Sequence, residues 1–212
     1  MSEEAAMVKV KICGITNRED AQASLQAGCD ALGFLFYKNS PRYICPLDAR
    51  RLINQLPPQV IKIGVFVNAN EKTVRRIAAS CQLDMLQFHG EESPQFCARF
   101  KGYKIIKVFR IKKTIDLKKI LKYNVFACLL DTFDTSKRGG TGTQFNWSLA
   151  CRLANIHTTV FLSGGLTEKN VQKAIRVAHP QWVDASSSLE ASPGKKDHQR
   201  VERFIRAAKH TR

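Results

Sequence analysis

The chain has 212 residues, 44% of them hydrophobic, and its 34 Lys and Arg against 18 Asp and Glu give a formal net charge of +16. The apolar content suffices for a full core and excludes a disordered chain. No apolar run approaches the roughly 18 residues of a membrane helix. The N-terminus, MSEEAAMVKV, is acidic and then strand-like, unlike a signal peptide, so a soluble cytoplasmic protein is expected. The seven cysteines are odd in number and form no CxxC, which argues for free thiols in a reducing compartment rather than a disulfide framework or a zinc ribbon. The positive charge raises nucleic-acid binding as a hypothesis. However, the basic pairs Arg50–Arg51, Arg75–Arg76, Lys112–Lys113, Lys118–Lys119 and Lys195–Lys196 are spread along the chain, mostly on predicted helices or their ends. Solvated helix faces account for them, and what remains is a field that attracts an anionic substrate.

The regular part opens with VKVKICGITN, residues 8–17. It reads as a short buried strand, with Val8, Val10 and Ile12 alternating with Lys9 and Lys11. The strand ends at Cys13, the backbone turns through Gly14, and Thr16 or Asn17 caps the next helix. The pattern then repeats. A helix over 17–27 is followed by the apolar strand ALGFLF (31–36), the loop YKNSPRYICP (37–46) and a helix over 47–56. Then come VIKIGVFV (60–67) with a helix over 71–80, DMLQFH (84–89) with a helix over 93–100, and KIIKVF (104–109) with a helix over 114–122. FACLLD (126–131) leads into the Gly-rich loop TFDTSKRGGTGTQ and a helix over 146–154. TVFL (159–162), the turn SGGL, a helix over 167–178 capped by Thr167, a strand over 182–185 and a last helix to about Ala208 complete the series.

Eight largely apolar strands alternating with helices are the pattern of parallel strands covered on both faces. With no second domain left over, one α/β domain, a (β/α)8 TIM barrel over residues 1–212 with 1–6 frayed, is predicted. In such a barrel the C-terminal ends of the strands share one mouth. Those ends carry Cys13, Arg42 in its SPRY loop, Phe66 and Asn68, His89, Arg110, Asp131, the turn Ser163–Gly164–Gly165, and Asp184 to Ser188. SGGL and SSS are adjacent late turns whose N–H groups, with the hydroxyls of Ser186 and Ser187, suit a phosphate.

Asp131 either caps its loop or works as an acid in the mouth. Cys13 alone reads as a small buried hydrophobe. Opposite an acid it reads as a base, its thiol pKa of about 8.5 lowered by nearby cations or N–H dipoles. Arg42 can clamp a carboxylate with two bonds. His89 and Asp184 are candidate substrate contacts. The scattered histidines form no HxxH or HExxH, so no metal site is expected, and GGTG at 139–142 lacks the spacing of a dinucleotide fingerprint.

KICGIT (11–16), GFLFYKNSPRY (33–43), GVFVN (64–68), LQFHG (86–90), LLDT (129–132), GGTG (139–142), LSGGL (162–166), DASSSLE (184–190) and SPGKKD (192–197) occur in that order. In this the chain resembles the phosphoribosylanthranilate isomerase family of tryptophan biosynthesis, over essentially its whole length. The resemblance implies an Amadori rearrangement of N-(5-phosphoribosyl)anthranilate to the 1-deoxyribulose 5-phosphate, without cofactor or metal. It assigns Asp131 as general acid and Cys13 as general base. Arg42 would hold the anthranilate carboxylate, and Gly164, Gly165, Ser186 and Ser187 the phosphate. Two positions depart from the family pattern: Asn146, where Asp is usual, and Ser188, where Gly is usual. If that glycine serves a positive φ or a close approach to phosphate, Ser188 strains the loop or weakens binding.

Two other readings compete. A related sugar-phosphate isomerase of histidine biosynthesis would be expected to carry Asp at the end of the first strand and an internal half-barrel repeat, which this sequence lacks. A non-catalytic, basic phosphate or nucleic-acid binding protein would account for the charge and leave the acid–base pair without a purpose.

Overall fold

The computed structural model describes residues 7–111, 114–132, 147–153 and 158–211. Eight strands pair in parallel, each with the next: β1 (Lys9–Cys13), β2 (Ala31–Leu35), β3 (Ile61–Phe66), β4 (Met85–Phe88), β5 (Lys104–Ile111), β6 (Ala127–Thr132), β7 (Thr159–Ser163) and β8 (Trp182–Ala185). β8 returns to β1, with Lys11 opposite Asp184, and closes the barrel. The predicted (β/α)8 architecture is thus the observed one. Around it run α1 (Arg18–Gln26), α2 (Pro46–Ile53), α3 (Glu71–Ser80), α4 (Pro94–Cys97), α5 (Leu117–Ile120), α6 (Val171–Ala178) and α7 (His198–Lys209).

Several predicted boundaries move for local reasons. Asn17, not Thr16, caps α1 by accepting from the Asp20 N–H at 2.8 Å. The helix expected over 114–122 shortens to α5 because Asp116 caps it from within, its carboxylate accepting from the Lys119 N–H. Thr167 does not cap α6. Its N–H donates to the Asn170 side chain at 2.8 Å, which makes a separate turn, and the helix starts only at Val171. The helix expected over 146–154 is a 3₁₀ segment, Trp147–Leu153. Asn146, the GGTG stretch, Lys137 and Arg138 lie outside the described residues. A second 3₁₀ turn, Ser187–Leu189, and a hairpin of β9 (Glu190–Ser192) and β10 (Lys195–Lys196), neither anticipated, follow β8.

The apolar residues form two cores. The larger lies between strands and helices and includes Val10, Ile12, Leu32, Phe34, Leu130 and Leu162. The smaller fills the barrel and includes Ile63, Met85, Ile106, Leu129, Phe161 and Trp182, the last two stacked with ring centroids 4.7 Å apart. Successive residues of a strand point to opposite faces, so each inward residue is followed two positions later by another. Two steps up from the interior core, Leu129 gives way to Asp131, Phe161 to Ser163, Trp182 to Asp184 and Met85 to Gln87. The C-terminal third of the barrel interior is therefore polar, and it forms the floor of the mouth.

Candidate active site

A cavity of about 260 Å³ opens over that floor. All nine residues predicted as site residues line it: Cys13, Arg42, His89, Asp131, Gly164, Gly165, Asp184, Ser186 and Ser187. Phe66, Asn68 and Arg110, also named at strand ends, do not. A neighbouring depression of about 310 Å³ between the ends of β4 and β5 and α5 shares His89 and contains Arg110.

The left wall begins at Cys13, the last residue of β1. The turn behind it needs Gly14, whose φ is +81° and where an added Cβ would lie 2.9 Å from Arg42 Cδ and 3.0 Å from Ser186 Oγ. The bare backbone lets the arginine of the β2 loop and the serine of the β8 loop meet over β1. Arg42 does not stand open as the sequence suggested. Its Nε and Nη2 donate to the two carboxylate oxygens of Glu190, both at 2.7 Å. Glu190 also accepts from Lys196 Nζ at 3.1 Å, and that ammonium donates to the Ser186 carbonyl at 3.2 Å. Burial alone would raise the Glu190 pKa, but the bonds from Arg42 and Lys196 outweigh it and hold the carboxyl below its usual range. For Lys196, burial wins, and its pKa lies below that of an exposed lysine.

The β9–β10 hairpin supplying Glu190 and Lys196 is anchored to the start of the chain. Thr16 Oγ1 donates to the Gly194 carbonyl at 2.6 Å, and buried Asp20 accepts from the Lys196 N–H and pairs with His198 Nε2.

Opposite stands Asp131, whose Oδ2 lies 3.4 Å from His89 Nε2. His89 Nδ1 lies 3.4 Å from Gln87 Nε2, so the ring spans the gap between Gln87 and the acid. The loop carrying His89 is fixed from behind. Glu92 accepts from the N–H groups of Asn68 and Gly90 and pairs with Lys107 Nζ at 2.9 Å, in a site closed to water.

At the far side, Gly164 and Gly165 have φ of +88° and +67°, which turns the chain sharply after β7. Ser188 answers the question its sequence raised. Among the described residues the non-glycine positive-φ positions are Asn68, Gln82 and His179, so Ser188 carries no such strain. Its hydroxyl instead donates to the Leu166 carbonyl and ties the two turns together.

The thiol departs from expectation in another way. Cys13 is buried, and burial pushes its pKa up; the cations Lys11 and Lys196 pull it down only in part, while Asp184 adds to the rise. Lys11 is an alternate of the buried strand to which the sequence assigns no role. Its side chain is 0% exposed inside the barrel, with Nζ 2.8 Å from Asp184 Oδ1. Its parity with Cys13 was the available signal. Glu190 and Lys196 had been noted within motifs but given no role.

Among the described residues no group of His, Cys, Asp and Glu is placed to hold a metal, and no helix is long and apolar enough to cross a membrane.

The fold and the cavity together define a class, the (β/α)8 barrels that gather their functional side chains above the C-terminal ends of the strands. Relatives narrow it. The family described as N-(5′-phosphoribosyl)anthranilate (PRA) isomerase matches residues 10–207. The N-(5′-phosphoribosyl)anthranilate isomerase of Pelobacter propionicus is 48% identical over 206 residues, covering 97% of this chain and 98% of its own. The crystal structure of the Thermotoga maritima phosphoribosyl anthranilate isomerase superposes with a TM-score of 0.89 at 45% identity, covering 96% of this chain and 99% of the other. A structure of such an isomerase in complex with reduced 1-(o-carboxyphenylamino)-1-deoxyribulose 5-phosphate has a TM-score of 0.86 at 44% identity, with the same coverage. The chain belongs to the phosphoribosylanthranilate isomerase family.

The network around Arg42 yields a stability test. Glu190→Ala leaves the Lys196 ammonium buried without its carboxylate, which costs about 3–5 kcal/mol in comparable sites. Urea unfolding is expected to register a loss of that order, and a loss below about 1 kcal/mol would mean that the carboxylate does not organise this wall.

Proposed function

We propose that the protein is a phosphoribosylanthranilate isomerase of tryptophan biosynthesis, converting N-(5-phosphoribosyl)anthranilate to 1-(2-carboxyphenylamino)-1-deoxyribulose 5-phosphate. The observation that carries the reading is the convergence of Cys13 and Asp131 on one cavity, with Arg42 and the two late turns around them, in a chain of this family.

Asp131 protonates the ring oxygen and opens the furanose to a Schiff base. His89, whose Nε2 lies 3.4 Å from the acid, stabilises the carboxylate left behind. Cys13 takes the C2′ proton, and the enolamine so formed tautomerises to the product. One guanidinium edge of Arg42 is occupied by Glu190, and its remaining N–H donors face the anthranilate carboxylate. Gly164, Gly165, Ser186 and Ser187 cradle the phosphate, and Asp184 supports the floor. The reaction moves protons only, so it requires neither redox cofactor nor metal. Residues 1–212 act as one barrel domain on a small molecule, with no role for nucleic acid or membrane. The seven free thiols agree with a cytoplasmic setting.

Turnover followed by loss of anthranilate fluorescence tests this, with the aminoaldose phosphate of histidine biosynthesis as the competing substrate. Asp131→Asn and Cys13→Ser are each expected to lower kcat at least about 100-fold. Turnover of the histidine intermediate alone would move the protein to the sister reaction, and full activity in Cys13→Ser would remove the base. Burial raises the Cys13 pKa, so the thiolate fraction grows with pH, while Asp131 must keep its proton to act as the acid. kcat/KM is therefore expected to pass through a maximum with pH and to fall on both sides of it. A profile flat from about pH 5 to 10 would contradict the acid–base pair.

A further inference from the structure

Lys11 is among the largest fully buried side chains of the described residues. An ion pair between two barrel strands is on average no more stabilising than apolar residues of the same size, and the interior layer next to it is apolar, with Phe161 and Trp182 stacked. What a lysine supplies there, and a methionine does not, is positive charge. Its surroundings place that charge. Nζ lies 2.8 Å from Asp184 Oδ1, whose other oxygen accepts from Ser163 Oγ at 3.2 Å. Cys13, two residues on, shares the strand face of Lys11, and the ammonium pulls its thiol pKa down. Both side chains also pack over the bare backbone of Gly33, where an added Cβ would lie 2.8 Å from Cys13 Sγ and 3.1 Å from Lys11 Cε.

We propose that Lys11 is a positioning residue for the proton transfer: its ammonium, anchored on Asp184 at the barrel floor, favours the anionic form of the Cys13 sulfur, which receives the substrate proton. The inference rests on Cys13 being the base. In the step itself the C2′–H bond breaks and an S–H bond forms. The C2′–H electron pair enters the C1′–C2′ bond, and the iminium π pair passes to nitrogen. The thiolate is neutralised as the substrate cation is, so the ammonium matters most before the transfer. The other charges bearing on Cys13 are Asp184, which opposes the thiolate, and Lys196, which favours it. Lys196 is itself shared with Glu190 and Arg42, and His89 and Asp131 stand on other walls of the same cavity.

The test is the titration of the Cys13 thiolate, read as absorbance of each protein minus its Cys13→Ser counterpart, for wild type, Lys11→Met and Lys11→Met/Asp184→Leu, which removes the carboxylate left alone by the first change. The midpoint is expected to move up by about one unit or more, with turnover at pH 7 down at least about tenfold. A midpoint unmoved in both variants would overturn the proposal and leave Lys11 a structural residue. Should neither variant fold, the wild-type titration serves instead. Burial pushes the Cys128 pKa up to about 11. Cys13 is expected to titrate below Cys128, and titration together with it or above it would overturn the proposal. If Cys13→Ser keeps full turnover, the base assignment fails and Lys11 falls with it. An unmoved midpoint in a protein that needs Cys13 sinks Lys11 alone.

Discussion

Closure of the sheet is the constraint on which everything else depends. Once β8 pairs with β1, no strand edge remains, and every inward side chain must share one narrow interior. Strand parity then sorts that interior by height. The lower part is filled with Ile63, Met85, Leu129, Phe161 and Trp182. The last inward residue of several strands is left where helices no longer cover it and water can enter. Polar and reactive groups are tolerated at that height, and Cys13, Asp131, Ser163 and Asp184 are found there.

Closure also joins groups distant in sequence. Lys11 and Asp184 face each other across the closing seam, 173 residues apart in the chain. The hairpin after β8 leans back on the first turn of the chain through Thr16 and Asp20. It thereby brings Glu190 against Arg42 and Lys196 beneath Ser186. The two ends of the chain thus build the wall that carries the base and the arginine, while the middle of the chain builds the acid side through the Lys107–Glu92 pair and His89. Arg42, His89 and Asp184 are each held from behind by a charged or polar neighbour.

The strands and the cavity residues were legible because both follow simple rules. Apolar runs of strand length separated by helical spacing specify the barrel, and strand ends specify the mouth. The partners behind the site were less legible. Lys11 reads only as an alternate of a short buried strand, because alternation reports which residues share a face and not which face is the barrel interior. Arg42 reads as a free clamp because its counter-ion, Glu190, is 148 positions away. The Cys13 pKa goes the opposite way to expectation because desolvation, which sequence does not report, exceeds the pull of its cations. The shortened α5 arises from the side-chain cap at Asp116, and the late start of α6 from the turn that Asn170 closes by accepting from the Thr167 N–H.

The most direct test of the account is a crystal structure of this protein with reduced 1-(o-carboxyphenylamino)-1-deoxyribulose 5-phosphate, the ligand held by its relative. The expected result is one pose. The carboxylate meets Arg42, the phosphate lies between residues 163–166 and 186–188, and the sugar carbons lie between Cys13 Sγ and Asp131. A ligand seated in the depression beside α5, or reversed so that its phosphate meets Arg42, would contradict it.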